Sequence, residues 1–142
     1  MKYKMQECVG ARLRRLSRIA DGYYRKCLVE FDITENQMTV LFVLRVSGKI
    51  AQGKIAERLA LNRSTVSRAI RLLEKKNLIK RTAVYRPEVT LTKTGGVLVE
   101  KLIPIWEGVM DELATKLDDA GMKMIEKLEK KLSPIAGSEN ID

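Results

Sequence analysis

The chain has 142 residues, is 45% hydrophobic and carries a formal net charge of +9 without a single His. This length supports one small core, and the absence of His removes the commonest general base and the commonest metal ligand. Basic residues interrupt every hydrophobic stretch, so we find no signal peptide and no membrane-spanning run, and expect a cytoplasmic protein with reduced thiols.

The first predicted helix presents a long apolar stripe. Its members recur every three or four residues, which is the period of a helix face that packs against other helices. One short neighbour cannot cover the whole stripe, so the helix packs on several elements of its own chain or meets a partner. The stripe consists of Val9, Leu13, Leu16, Ala20, Tyr23, Cys27 and Phe31.

A second helix is predicted to begin after Thr34. Thr34 and Gln37 have the spacing of a capping box, and Ile33 and Met38 have that of a hydrophobic staple. The segment that follows is mostly apolar. We predict that its core residues are Val40, Leu41, Val43 and Leu44.

The next segment has the pattern of a helix-turn-helix. A short amphipathic helix, with Ile55, Ala56 and Leu59 on one face, precedes Asn62, which is a good N-cap for a longer helix. Asn77 is placed to end that longer helix in the left-handed conformation. The apolar residues of the longer helix are Val66, Ala69, Ile70 and Leu73.

The positive charge of the chain is concentrated around this motif. Residues 48–93 contain 12 Lys and Arg but only 3 acidic residues, an excess that equals the net charge of the whole chain. In the major groove, Arg donates paired hydrogen bonds to guanine, and Ser or Thr bonds a base edge or a phosphate. The alternative is an ordinary solvated helix face. We predict that double-stranded DNA binds to Lys54, Asn62, Arg63, Ser64, Thr65, Ser67, Arg68, Arg71, Lys80, Arg81 and Arg86.

Two β-like segments, residues 78–82 and 88–92, predict a hairpin, or wing, after the longer helix. The wing tip spans residues 83–87, where Pro87 limits strand pairing. Arg86 at this tip is either a minor-groove contact or simply an exposed turn residue.

The C-terminal part predicts helices with two further apolar stripes, one from Leu98 to Leu117 and one from Met122 to Leu132. Pro104 is expected to bend the first helix. Asp118 and Asp119 lie near a helix start, where carboxylates offset the positive end of the helix dipole. Residues 134–142 predict a flexible tail.

These segments together resemble the MarR family of winged helix-turn-helix transcriptional regulators. Each segment alone is a weak signal, but the set is specific. The wing departs from the usual family pattern, because it is shorter and has no acidic residue before Arg86. The matching segments are Ile33-Thr34-Glu35-Asn36-Gln37 with Leu41, Lys54-Ile55-Ala56-Glu57-Arg58-Leu59, Asn62-Arg63-Ser64-Thr65-Val66-Ser67-Arg68 with Leu73-Glu74, Leu78-Ile79-Lys80-Arg81 and Leu91-Thr92-Lys93-Thr94-Gly95.

The resemblance implies a mainly α-helical fold with a winged helix-turn-helix at residues 34–95 and a small β-hairpin wing. It also implies that dimerisation helices at residues 1–33 and 96–133 interlock in a homodimer, within one compact domain. Two recognition helices about 34 Å apart would then read an inverted repeat. A small effector, often an anionic aromatic in this family, is implied between the dimer helices and the winged module. The nearest candidates are Arg18, Tyr23, Tyr24 and Phe42, although core packing also explains the aromatic residues.

The resulting hypothesis is a homodimeric, sequence-specific transcriptional regulator, most simply a repressor, that an effector releases from its operator. Two alternatives are a winged module that docks an acidic protein and a redox-sensing regulator that uses Cys8 or Cys27. We expect no enzyme activity, cofactor or metal. The reasons are the missing His, the lack of a Gly-rich phosphate loop and a Cys spacing unlike that of metal sites.

Overall fold

The computed structural model describes residues 2–133, which form five α-helices and one three-stranded antiparallel sheet. This confirms the predicted mainly α-helical, winged architecture, while the predicted tail at residues 134–142 lies outside the described residues. The chain divides into two compact units, Met1–Leu102 and Ile103–Asp142. The elements are α1 Val9–Leu28, α2 Glu35–Ser47, β1 Ile50–Ala51, α3 Gln52–Leu59, α4 Arg63–Lys75, β2 Ile79–Arg81, β3 Glu88–Leu91 and α5 Lys93–Leu132.

The predicted start of α2 is confirmed in detail. The Thr34 backbone N–H donates to Gln37 Oε1 at 2.9 Å, and the Gln37 N–H donates to Thr34 Oγ1 at 3.3 Å. These two bonds form a capping box, which satisfies two donors that the helix itself leaves unpaired. Ile33 and Met38, the predicted staple, are both buried.

Helices α2, α3 and α4 pack together around one apolar core. The predicted core residues Val40, Leu41 and Leu44 are buried, whereas Val43 is only half-buried. Only part of the α2 surface faces α3 and α4, so an apolar run along this helix does not bury every member equally. Leu59, which was also predicted to face inward, is only half-buried. The other predicted inward residues of α3 and α4 are buried: Ile55, Ala56, Val66, Ala69, Ile70 and Leu73.

The sheet has the order β1-β3-β2, with β3 antiparallel to both neighbours. Val89 of β3 is paired with Ile50 on one side and Arg81 on the other. The predicted hairpin is therefore confirmed, but the sequence analysis missed β1. A two-residue strand is too short to show an alternating pattern.

A close approach between α5 and the start of the wing requires Gly95. A Cβ atom at Gly95 would lie 1.9 Å from the carbonyl oxygen of Leu78. The same corner is fixed by Thr92, whose Oγ1 donates to the Asn77 carbonyl at 2.7 Å and accepts from the Gly95 N–H at 3.0 Å. Asn77 has φ 57, as its predicted left-handed position requires.

Helix α5 has its backbone break at Asp118, while the bend predicted at Pro104 stays a prediction. Asp118 has φ 55 and ψ −179, whereas helical dihedral angles continue through Pro104. A proline removes one helix hydrogen bond but keeps a helical φ, so it does not by itself interrupt the helix dihedrals. The predicted helix start near Asp118 is confirmed, because Asp118 Oδ1 accepts from the Gly121 N–H at 3.0 Å.

Two carboxyl groups meet between α1 and α2. Burial, a hydrogen bond to Asp21 and the charge of Asp21 together raise the pKa of Glu35 to about 7. The buried Tyr24 lies beside this pair, and its pKa is raised by burial and by the charge of Glu35. Glu35 therefore keeps its proton up to about pH 7, and its hydrogen bond with Asp21 joins the two helices.

We predict that Gly95→Ala destabilises the fold by more than about 2 kcal/mol, because backbone must move away from the new Cβ atom. Gly96→Ala is the matched control, since a Cβ there meets no described atom within 4 Å. Urea unfolding of both variants measures the difference. Equal stability of the two would contradict the close approach.

We predict that Glu35→Gln raises the melting temperature at pH 8 by about 2 to 4 °C and changes it little at pH 5. The folded-state pKa of Glu35 is raised above its ordinary value of 4.5. Its contribution to stability is therefore full below pH 4.5 and is lost as the pH rises through about 7. The neutral Gln keeps a donor for Asp21 at both pH values. Glu30→Gln, at an exposed position of the same region, is the control, and parallel pH profiles for both variants would count against the proton on Glu35.

Candidate nucleic-acid interface

The second helix of the helix-turn-helix, α4, is the predicted recognition helix, and it presents one polar, basic face. Val66, Ile70 and Leu73 point into the core, so residues on the opposite side of the helix face solvent. Among the predicted DNA-binding residues near α4, those that are exposed are Asn62, Arg63, Ser64, Arg68 and Arg71, while Thr65 and Ser67 are half-buried. Asn62 occupies the N-cap position, but its side chain makes no capping hydrogen bond within the described chain.

Ion pairs reduce the charge at two of the predicted positions. Lys54 donates to Glu57 at 2.9 Å, and this hydrogen bond is the main cause that lowers the pKa of Glu57. Arg81 donates from Nε and Nη2 to Glu74 Oε2, at 3.0 and 2.7 Å. That pair lowers the pKa of Glu74 and raises the pKa of Arg81. Arg81 and Lys80 are both exposed, but Arg81 is held against α4 by this pair.

The wing is short and is attached to α3. Thr82 and Glu88 close it, because the Thr82 N–H donates to the Glu88 carbonyl at 3.0 Å and the Glu88 N–H donates to Thr82 Oγ1 at 2.9 Å. The Pro87 carbonyl accepts from the Gln52 N–H at 3.0 Å. Tyr85 at the tip is 97% exposed, and the sequence analysis did not include it among the DNA-binding residues.

A cavity of about 620 Å³ lies between α3, the start of α4 and the wing tip. It brings together three of the predicted residues, one from each of these segments. Gln52 and Gly53, which the sequence analysis did not select, line it as well, and no sequence motif marks them. The lining residues are Ala51, Gln52, Gly53, Lys54, Ala56, Glu57, Arg63, Val66, Tyr85, Arg86 and Pro87.

The four residues proposed for an effector do not line this cavity. Arg18 is exposed, Tyr23 and Phe42 are half-buried, and Tyr24 is buried. The effector site that the family resemblance implies therefore stays a prediction.

Cys8 is exposed and Cys27 is half-buried, and both are free thiols. Within residues 2–133, no group of three or more His, Cys, Asp or Glu is arranged to hold a metal ion. None of the helices described for this chain is long and apolar enough to cross a membrane.

Comparison with known proteins shows which regulators the chain resembles. The MarR family model matches residues 33–84, which include the recognition helix and the first half of the wing. Over these residues the chain is similar to the MarR family. A curated relative, an uncharacterised HTH-type transcriptional regulator of Bacillus cereus, is 28% identical over 97 residues. That match covers 68% of this chain and 66% of the relative, just under two thirds of its length.

Solved structures of MarR-like regulators resemble this chain over nearly their whole length. BpsR of Bordetella bronchiseptica, studied for regulation of its DNA binding by 6-hydroxynicotinic acid, is 26% identical with a TM-score of 0.84, covering 93% of this chain and 98% of BpsR. MepR of S. aureus, solved in a complex with DNA, is 27% identical with a TM-score of 0.75, covering 87% of this chain and 95% of MepR. The fold is thus that of these solved transcriptional regulators.

We predict that Glu74→Gln strengthens binding to random duplex DNA several-fold, because the change frees Arg81. The slope of the logarithm of the binding constant against the logarithm of the salt concentration should steepen by about one. Fluorescence anisotropy at several salt concentrations measures both quantities. Glu126→Gln is the control, since it frees Lys130 from an equivalent pair on α5. Equal effects of the two variants would show that only total charge matters.

Proposed function

We propose that this protein is a MarR-family regulator that binds operator DNA as a homodimer, recognises an inverted repeat and represses transcription until an effector releases it. The protein presents α4 to the major groove, with the wing beside it. Repression follows most simply, because a dimer seated on an operator occupies DNA that the transcription machinery needs.

The observation that carries this proposal is the outward face of α4. Ser64, Arg68 and Arg71 are all exposed and follow one another at helical spacing. The core beneath them is rigid, since Val66, Ile70 and Leu73 are almost completely buried. A helix held in this way fits the major groove, and its guanidinium groups can bond guanine edges.

Exposed apolar residues on the terminal helices support the homodimer. On α1, Val9 is 63% and Leu16 is 60% exposed. On the distal part of α5, Met124 is 53% and Leu132 is 61% exposed. Large apolar patches on a soluble chain mark interaction sites, so we assign residues 1–33 and 96–133 to the dimer interface.

An effector is supported by the relative BpsR, whose DNA binding is regulated by an aromatic acid. For this chain we propose an anionic aromatic ligand near Arg18, Tyr23, Tyr24 and Phe42. The ligand acts by binding the DNA-incompetent dimer more tightly, in which the two recognition helices have another spacing. A coupling of about 1 to 3 kcal/mol would lower operator affinity roughly 5- to 150-fold.

We predict that Arg68→Ala lowers the preference for operator over scrambled DNA by about 10- to 100-fold, because a base contact is lost. Lys80→Ala is the comparison, since a phosphate contact should weaken binding to all DNA alike and reduce the salt slope by about one. Titration of both duplexes with each variant gives these values. If Arg68→Ala weakened operator and scrambled DNA equally, the reading role of Arg68 would be refuted.

The operator itself is obtained by selecting bound sequences from a random duplex pool at about 0.15 M salt. The expected result is an inverted repeat with half-sites about 10 base pairs apart, bound on the order of a thousandfold better than scrambled DNA. Recovery of no motif, together with tight binding of an acidic protein, would favour the docking adaptor instead.

A further inference from the structure

The cavity between α3, α4 and the wing has positively charged groups from three separate segments. Arg63 comes from the first turn of α4, Arg86 from the wing tip and Lys54 from the first turn of α3. One carboxylate, that of Glu57, also lines the cavity and is paired with Lys54. The floor includes the buried side chains of Ala56 and Val66. The lining therefore has a net positive charge above an apolar base.

The N-terminal turn of α3 opens into this cavity without a cap from its own chain. Ala51 is the N-cap residue, and no side chain of the described chain caps the helix there. The first turn also has no acidic residue. The Gln52 N–H is already used by the Pro87 carbonyl, which leaves the next amides, those of Gly53 and Lys54, to face an anion.

Gln52 supplies a second, independent observation. Its side-chain oxygen is buried yet accepts no hydrogen bond from any residue that the structure describes. Gln52 as a whole is half-buried, but a buried oxygen atom without a partner is costly, so it indicates that a ligand or solvent group bonds to it. Turning the amide by 180° presents its NH₂ group to the same place, as an anion requires.

We propose that this cavity binds one phosphate of the DNA backbone. This inference rests on the DNA binding proposed above. The amides of Gly53 and Lys54 donate to the phosphate oxygens, and Arg63 and Arg86 flank the phosphate. Helix N-termini and guanidinium groups are the two protein groups that bind phosphate most effectively.

This assignment gives the short wing a role other than minor-groove insertion. The Pro87 carbonyl is bonded to Gln52, so Arg86 is held next to the start of α3. One phosphate would then contact the wing, α3 and the recognition helix at once. Such a contact fixes the register of α4 on the duplex, whereas base contacts of α4 determine the sequence.

The test introduces a carboxylate at the position of the bound phosphate. A Cβ at Gly53 meets no described atom within 4 Å, so Gly53→Asp fits sterically, and an acid in the first turn stabilises the helix. We expect Gly53→Asp to keep or raise the melting temperature and to weaken operator binding by about tenfold. Gly53→Asn has nearly the same shape without the charge and should lose clearly less affinity than Gly53→Asp.

Asn36→Asp is the matched charge control. Asn36 is the second residue of α2, as Gly53 is of α3, and it is exposed. The substitution adds the same charge at the same helix position, outside the cavity. A comparable loss of affinity in Asn36→Asp and Gly53→Asp would overturn the proposal, because it would reflect net charge alone.

Single neutral methylphosphonates placed along the selected operator identify the phosphate. We expect one position in each half-site at which neutralisation costs the unmodified protein about tenfold but costs Gly53→Asp almost nothing. If no position behaves in this way while Arg68→Ala still loses sequence preference, the phosphate site in the cavity is refuted and the proposed function stands. If the unmodified protein selects no operator at all, both fail.

Inorganic phosphate, added to the DNA-free protein at constant ionic strength, separates a backbone phosphate from a free ligand. One outcome would overturn the DNA assignment in favour of a free phosphate ligand. In that outcome, the Gly53 and Lys54 amide resonances shift saturably and specifically at millimolar phosphate, and no methylphosphonate position loses its effect in Gly53→Asp. Weak amide shifts, together with a methylphosphonate position that loses its effect in Gly53→Asp, support the backbone phosphate.

Discussion

Burial of one face of α4 is the constraint on which the rest of the winged module depends. Val66, Ile70 and Leu73 are almost fully buried against α2 and α3, and a helix with one face fixed has no freedom to rotate. Arg68 and Arg71 are consequently held toward solvent. The same packing places the end of α4 where Asn77 and Leu78 lead into the wing, so core and DNA-facing surface are set together.

Acidic residues pair with some of the cations on the basic surface of the module. Each of the three acidic residues in residues 48–93 is paired with a cation: Glu57 with Lys54, Glu74 with Arg81 and Glu88 with Lys49. These pairs are exposed and contribute little to stability. Their larger effect is on where the module presents its positive charge. They hold some cations close to the surface, while the arginines on the outer face of α4 remain available.

The wing is held to α3 as well as to the sheet. β3 lies between β1 and β2, and the hydrogen bond from Gln52 to Pro87 joins the tip to the first residue of α3. A hairpin attached at both sides cannot swing independently of the helix-turn-helix. With a wing this short, the position of Arg86 is therefore set by α3, and in the proposed complex contact with the DNA backbone follows more directly than deep entry into a groove.

Sequence alone determined the helices, the capping box at Thr34, the left-handed Asn77 and the apolar face of α4, because these depend on spacing along a few helical turns. It also determined where the positive charge lies. Only the tertiary structure decided the pairing of Arg81 with Glu74, the meeting of Glu35 with Asp21, the strand β1 and the cavity beside Gly53. These features join groups from different elements, and their distances depend on how the helices pack, which no local pattern encodes.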